Sequence, residues 1–346
     1  MSHVSSSYFG GPDKPENLLR DQLVKHIHAV PSHGKICWLC YYLNDPVIFE
    51  ALIDAAKRGV EIDLLIDGRA RTTSINQPCI DLFSHADHPS IHLHIANDKP
   101  FWEYLGFHWH AHLHSKLYFF SHPTPHVLAG SYNPTAGQNV LNPEHIEAIG
   151  DHSISHNVLV NIAQKEMVDR LHDYILCMRR PGYRTFSRYT LSHNRTVTAS
   201  AWRADFLPRI RRHPIDTLLS KTGRNIHVKC AISHLKGPGI LKPLKIAIKK
   251  TSKIELLLES SQRRVPEKQL EFLERHRIKY YQPRLIKYCL MHSKFILYQS
   301  DQEHCVMFGS FNWSARSRLL NHETVICTHD KEVVTAFEKR WQQMIS

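Results

Sequence analysis

The chain has 346 residues, 42% hydrophobic and 22% charged, which fits a globular protein of about two ordinary domains and excludes a disordered or fibrous one. Its 44 Lys and Arg against 32 Asp and Glu leave a net charge of +12, which favours polyanionic partners: nucleic acid or an anionic membrane surface. No run approaches the roughly 20 apolar residues of a membrane-crossing helix. The N-terminal MSHVSSSYFGGPDKPE also lacks the basic-then-apolar layout of an export signal, so the expectation is a cytoplasmic protein.

In chain order, Asn17–His28 has helical spacing and Lys35–Leu43 reads as a buried strand. Pro46–Lys57 is again helical and ends at Gly59, and a strand follows from about Val60 to Ile66. Strand, helix, strand is the unit that builds parallel sheets with covering helices. Ile162–Arg180 reads as a helix. The same order recurs later: a short helix at Ile215–Lys221, a strand in NIHVKCAISH, a helix in LKPLKIAIKK and a strand in SKIELLLES. The expected fold is therefore α/β, with two similar αβ lobes whose mainly parallel sheets are related by a pseudo-two-fold, and with the active site at their interface. The expected boundaries are an N-terminal lobe over 1–178, a basic linker over 179–214 and a C-terminal lobe over 215–346. From Arg179 to Arg224 there are eleven Lys or Arg against Asp205 and Asp216, which suits either a polyanion contact or a solvated linker.

Eight cysteines lie far apart and read as reduced thiols. Cys37 and Cys40 form a CxxC inside GKICWLCYYL, but no second CxxC completes a zinc site, so both are expected in the core.

Each half ends on the same constellation. The first carries His114-Ser115-Lys116, then Gly130-Ser131-Tyr132-Asn133, then Leu141-Asn142-Pro143-Glu144. The second carries His292-Ser293-Lys294, then Gly309-Ser310-Phe311-Asn312, then Leu320-Asn321-His322-Glu323. The interval from the GSxN asparagine to the glutamate is eleven residues in both halves. On a strand, each His and its Lys project to one face. Two such faces would surround one phosphoryl group with Lys116, Lys294, Asn133 and Asn312 as donors. One neutral His can attack phosphorus while the other, protonated, gives its proton to the leaving oxygen. Glu144 and Glu323 could each orient a His through its far nitrogen.

This pattern resembles the phospholipase D superfamily, whose motif is HxKx4D followed by GSxN and a downstream glutamate. The resemblance covers both halves. It implies metal-independent, cofactor-free phosphodiester cleavage in two steps through a phosphohistidine. By position, it makes His114 and His292 nucleophile and general acid, with His114 the preferred nucleophile because the first-lobe His takes that role in many two-motif members. Lys116, Lys294, Asn133 and Asn312 become phosphate ligands with Ser131 and Ser310 in support, and Glu144 and Glu323 become the His-orienting carboxylates.

The chain departs from the motif at its aspartate, where Ser121 and Gln299 stand instead. In this it is similar to tyrosyl-DNA phosphodiesterases and restriction-type nucleases of the superfamily more than to its lipid enzymes. Before the first motif, His108, His110, His112 and His114 alternate; a strand would put four imidazoles on one face, as a substrate wall, a metal site or ordinary core histidines.

Nucleic acid is the preferred substrate. The charge, the missing aspartate and the basic stretch Arg263–Lys294, with Tyr280 and Tyr281 for base stacking, support it. A phospholipase D or cardiolipin-synthase-like enzyme is the alternative, supported by RSRLLNHE after the second GSxN and by the fit of a cationic surface to an anionic bilayer. A non-catalytic polyanion-binding module is the third reading. One chain supplies both half-sites, so catalysis needs no second copy.

Overall fold

A computed structural model of the chain describes residues 5–84, 89–99, 103, 105–106, 110–185, 188–191, 196–209, 213–221, 225–237, 241–249 and 253–346. The first sheet has seven strands in the order β1 (Ser7–Phe9), β7 (Val158–Ile162), β6 (His126–Gly130), β5 (Leu117–Phe120), β2 (Lys35–Cys40), β3 (Glu61–Asp67) and β4 (Ile91–Ala96). The second has eight. From its far edge they run β13 (Lys279–Tyr281), β12 (Lys253–Leu258), β10 (His227–Ile232), β14 (Phe295–Gln299), β15 (His304–Gly309), β17 (Glu323–Thr328), β9 (Trp202–Leu207) and β8 (Thr196–Ala199). β11 (Leu235–Lys236) and β16 (Trp313–Ser314) form a separate pair.

Reversing one order superposes it on the other: β4-β3-β2-β5-β6-β7-β1 against β13-β12-β10-β14-β15-β17-β9, with β8 added at the end. The internal repeat is thus a repeat of topology. The expectation of mainly parallel sheets holds only for β2, β3 and β4 and for β10, β12 and β13. All other neighbours in the two sheets are antiparallel. The reason is the connection: helices carry the chain between the parallel strands, whereas tight turns return it from β5 to β6 and from β14 to β15. A second correction concerns 179–214. This stretch supplies β8 and β9 to the second sheet, and β9 occupies the place that β1 holds in the first.

Local chemistry sets the elements. Asp45 accepts the Val47 N–H at 3.0 Å, Pro46 opens the helix Pro46–Lys57, and Gly59 closes it with φ +87°. Outer helices cover each sheet on one face. On the inner faces, helices Lys165–Met178 and Lys331–Ile345 lie between the sheets, each on its own sheet and against edge strands of the other. One apolar core therefore joins the lobes, with Phe119, Val160, Tyr174, Phe206, Phe295, Phe308, Phe337 and Trp341 in a single cluster. Truncating a fully buried aromatic there, such as Phe337 to Ala, would cost about 3–5 kcal/mol. Cys37 and Cys40 are both fully buried and free, as expected. No helix among the described residues is long and apolar enough to cross a membrane.

Candidate active site at the lobe interface

His114-Ser115-Lys116 and His292-Ser293-Lys294 lead into β5 and β14 rather than lying inside them. Both segments are fixed from the opposite lobe. His114 N and Ser115 N donate to His322 O at 2.9 Å each, and His322 N donates to His112 O at 2.8 Å. In the matching place, His292 N donates to His156 O at 3.0 Å, and His156 N to Leu290 O at 2.9 Å. The residue before each motif is held by a carboxylate at the end of a neighbouring strand. Leu113 N donates to Asp67 Oδ2 at 2.5 Å, and Met291 N donates to Glu259 Oε2 at 2.6 Å. These two acids occupy equivalent places, and aligning the repeated strands DLLID and ELLLE would have found them.

The GSxN elements are explained by close packing. A Cβ on Gly130 would lie 2.1 Å from Val158 O, and one on Gly309, at φ +148°, would lie 2.2 Å from Thr324 O. Only glycine lets these strands approach. The serines that follow, expected in support of the phosphate ligands, are fully buried and bond within the protein. Ser131 Oγ donates to Asn157 Oδ1 at 3.0 Å and Ser310 Oγ donates to Glu323 Oε2 at 2.5 Å. They position the residues that orient the histidines.

Those residues are asymmetric. His114 Nδ1 donates to Glu323 Oε2 at 2.8 Å, whereas His292 Nδ1 donates to Asn157 Oδ1 at 2.8 Å. Each contact crosses from one lobe to the other. Glu144, expected to mirror Glu323, is exposed on the helix Pro143–Ile149 and touches neither histidine. The letters LNPE are a helix start: Asn142 caps by accepting His145 N at 2.8 Å, Pro143 takes the first turn, and Glu144 meets the positive end of the helix. LNHE instead enters β17. The structural counterpart of Glu323 is Asn157, which sequence reasoning missed because a longer insertion separates it from its GSxN.

Charge is unusual throughout. Burial pushes His114 down to about 4, although Glu323 pulls the other way. Burial, together with Lys294 and His152, holds His292 well below its ordinary value. Burial brings Lys116 down to about 8, and burial with Lys116 and Arg264 nearby holds Lys294 well below its ordinary value. Burial alone would raise Glu323, but His114, Lys116 and Ser310 outweigh it and keep the carboxyl below its usual range. The two imidazoles are thus held neutral, each using Nδ1 as donor and leaving Nε2 for a ligand. Lys116 and Lys294 each donate to the carbonyl of their own motif histidine. Asn133 and Asn312 each leave Oδ1 buried without a protein partner among the described residues.

These groups meet at a cleft of about 760 Å³ lined by His114, His292, Asn133 and Asn312. Two further residues escaped the sequence. His152, buried and pushed down to about 3 by burial and by neighbouring cations, sets its ring 4.8 Å from that of His292. Tyr41 stands edge-on to His114 at 5.0 Å.

Of the three readings of the alternating histidines, hydrogen-bonded or core residues fits His110 and His112, and His112 and His114 also line the cleft. His108 lies outside the described residues. His110 bonds to Glu103 and Arg69, and His112 is buried against Tyr41. Among the described residues, three metal-ligating atoms within 4.8 Å of one another occur at Cys305, Cys327 and His329, at the end of β15 away from Ser310. Five of the eleven cations of the basic segment are paired within the protein: Arg179 with Asp63, Arg184 with Asp98, Arg203 and Arg209 with Asp205, and Lys221 with Glu303. Tyr280 and Tyr281 lie on the edge strand β13 with their hydroxyls bonded to Glu274 and Glu255, away from the cleft.

The sequence matches the family described as cardiolipin synthase, PLD-like domain, over residues 27–166 and 215–345. Its fold is similar to that of phosphatidylserine synthase from Haemophilus influenzae Rd KW20, with TM-score 0.64 and 12% identity over 97% of this chain and 85% of that one. It is also similar to polyphosphate kinase from Porphyromonas gingivalis, with TM-score 0.59 and 14% identity; the match covers 97% of this chain but 46% of the kinase. Nuc from Salmonella typhimurium, a phospholipase D family member, matches 50% of this chain and 93% of its own with 20% identity and TM-score 0.36. No curated protein sequence matches the chain.

Proposed function

Because the chain belongs to the PLD-like domain family of the cardiolipin synthase type, we propose that it cleaves phosphodiesters through a covalent phosphohistidine on His114, without a metal ion, and that its substrate is nucleic acid. The observation that carries the chemistry is the pairing of His114 with a carboxylate and of His292 with a neutral amide. A carboxylate on Nδ1 raises the basicity of the opposite nitrogen and stabilises the positive charge that the ring gains on bonding to phosphorus. An amide does so less, which leaves a protonated His292 the stronger acid.

In the first step the Nε2 lone pair of His114 bonds to phosphorus while the bond from phosphorus to the leaving oxygen breaks. That oxygen takes the proton from His292 Nε2. Lys116, Lys294, Asn133 and Asn312 offset the charge on the phosphoryl oxygens. In the second step water gives a proton to His292 and attacks phosphorus, the P–N bond breaks, and both rings return to their starting states. Burial and the nearby Lys294 and Arg264 keep His292 neutral, and it gains its proton when an anionic phosphate arrives and offsets those cations.

Two features favour nucleic acid. The chain carries +12, and among the described residues no Asp or Glu lines the cleft, whereas six Lys or Arg do. A phospholipid-processing reading, as the name of the phosphatidylserine synthase neighbour suggests, is the competitor. The test is to incubate the protein in EDTA with labelled single- and double-stranded DNA and RNA, and in parallel with vesicles of phosphatidylglycerol and phosphatidylcholine, using Lys294→Ala as the blank. The expected result is nucleic-acid cleavage that the variant lacks. Headgroup release with nucleic acid untouched would overturn the substrate, and activity that needs added Mg²⁺ would overturn the metal-independent route.

A further inference from the structure

The cleft extends beyond the two histidines to a group of cations that the cleavage steps do not use. Lys236, Arg263 and Arg264 come from the second lobe, Arg71 follows β3 of the first, and Arg316 stands in the helix Ala315–Leu319. All five line the cleft, and among the described residues none of them forms a salt bridge. Arg179, Arg184, Arg203 and Arg209 each form a salt bridge with a carboxylate, whereas the nearby Glu259 acts on Arg264 without forming one.

The five converge. Lys236 lies below its ordinary value through burial and through Arg71, Arg263, Arg264 and Arg316, so four guanidiniums act on one ammonium. Arg264 is 5% exposed, reaches only Ser233 Oγ at 3.4 Å, and leaves Nε buried with no partner among the described residues. A buried guanidinium with an unmade hydrogen bond is costly unless an anion completes it. Arg264 also acts on His292 and Lys294, so the cluster adjoins the catalytic groups. Arg71, His112 and Arg316 further line a second cavity of about 410 Å³, which continues the cationic path past the first.

We propose that Lys236, Arg264, Arg71 and Arg316 form a second anion subsite, which holds the phosphate next along the substrate from the one that is cut, so that the enzyme recognises phosphates in series along a polynucleotide strand. This rests on the phosphodiesterase reading and sharpens it. The subsite is built across the lobe boundary, with Arg71 from one lobe and the other cations from the second. A single isolated phosphodiester would fill the histidine centre and leave the cluster unmet.

The test compares two chromogenic esters that differ by one phosphate: thymidine 5′-(4-nitrophenyl phosphate) with and without a 3′-phosphate, in EDTA at low salt. One charge-assisted contact to phosphate should raise kcat/KM roughly 30-fold for the bisphosphate, mainly through KM. In the Arg71→Ala/Lys236→Ala/Arg316→Ala protein that ratio should fall to about 3 or less. Equal kcat/KM for the two esters in the unaltered protein, or a ratio that survives the triple substitution, would overturn the subsite while leaving the phosphodiesterase reading intact. If neither ester is cut, the phosphodiesterase reading fails instead, and calorimetry still decides the subsite. Inorganic tripolyphosphate should bind the unaltered protein at least about tenfold tighter than orthophosphate, and the triple variant should lose the difference; equal binding would overturn the proposal. A gain with tripolyphosphate that is absent for the nucleotide ester would overturn the assignment to a strand and point to a condensed phosphate.

Discussion

Glu323→Gln keeps an acceptor near His114 Nδ1 but removes the negative charge that lies 2.8 Å from it. The contact is wholly buried, with Glu323 at 0% exposure, so solvent does not screen the change. A hydrogen bond to a charged group is worth about 1.5–3 kcal/mol, and the positive charge that develops on the ring raises the loss in the transition state to about 2–4 kcal/mol. At 1.36 kcal/mol per tenfold, kcat should fall roughly 30- to 1,000-fold. Asn157→Ala removes a neutral bond of the same length from His292, worth about 1 kcal/mol, and should cost roughly tenfold or less on a substrate with a good leaving group. The assay is stopped-flow release of 4-nitrophenolate from bis(4-nitrophenyl) phosphate, with thermal unfolding run beside it to confirm that both variants fold. Since 4-nitrophenolate leaves without a proton, His292→Asn should still show a burst of one equivalent, and His114→Asn should show none. A burst in His114→Asn that is absent from His292→Asn, or a Glu323→Gln enzyme within threefold of the unaltered one, would refute the assignment of roles.

Three further predictions follow from the geometry. Glu144→Ala should leave kcat and KM within about twofold, because the side chain is solvent-exposed and meets no catalytic group; a loss of 100-fold would restore the spacing argument that the structure overturns. Gly309→Ala should destabilise the fold by about 3 kcal/mol in urea titrations, since its Cβ would sit 2.2 Å from a backbone oxygen at φ +148°; an unchanged midpoint would show that β15 and β17 can separate there. Stability should also fall as pH drops below about 6.5. Burial holds His114 and His322 at about 4 and His152 and His213 at about 3, so the unfolded chain binds protons that the folded chain does not. The contribution is full above 6.5 and is lost toward pH 4, by up to about 1.4 kcal/mol per histidine per pH unit. A flat Tm from pH 7 to 4.5 would contradict it.

Periodicity and spacing alone determined a good deal. The alternation of strand and helix placed the elements of each lobe to within a few residues, because amphipathic period and turn chemistry are local properties. The twice-repeated HxK and GSxN letters located both imidazoles, both ammonium groups and both amides, because the short strands and tight turns that connect them fix their spacing. Other features depended on contacts between distant segments. Identical-looking LNPE and LNHE diverge into an exposed helix start and a buried strand entry, and only the pairing of β7 with β6 brings Asn157 to the place of Glu323. The destination of β9 was equally hidden, since which sheet accepts an edge strand depends on the free edge it meets. The same holds for charge. Composition supplies the +12, but the tertiary structure pairs Arg179, Arg184, Arg203 and Arg209 with acids and leaves Arg71, Lys236, Arg264 and Arg316 in the cleft without a salt bridge among the described residues. Whether a cation is neutralised is a question of which groups lie within a few ångströms, and segments far apart in the chain answer it.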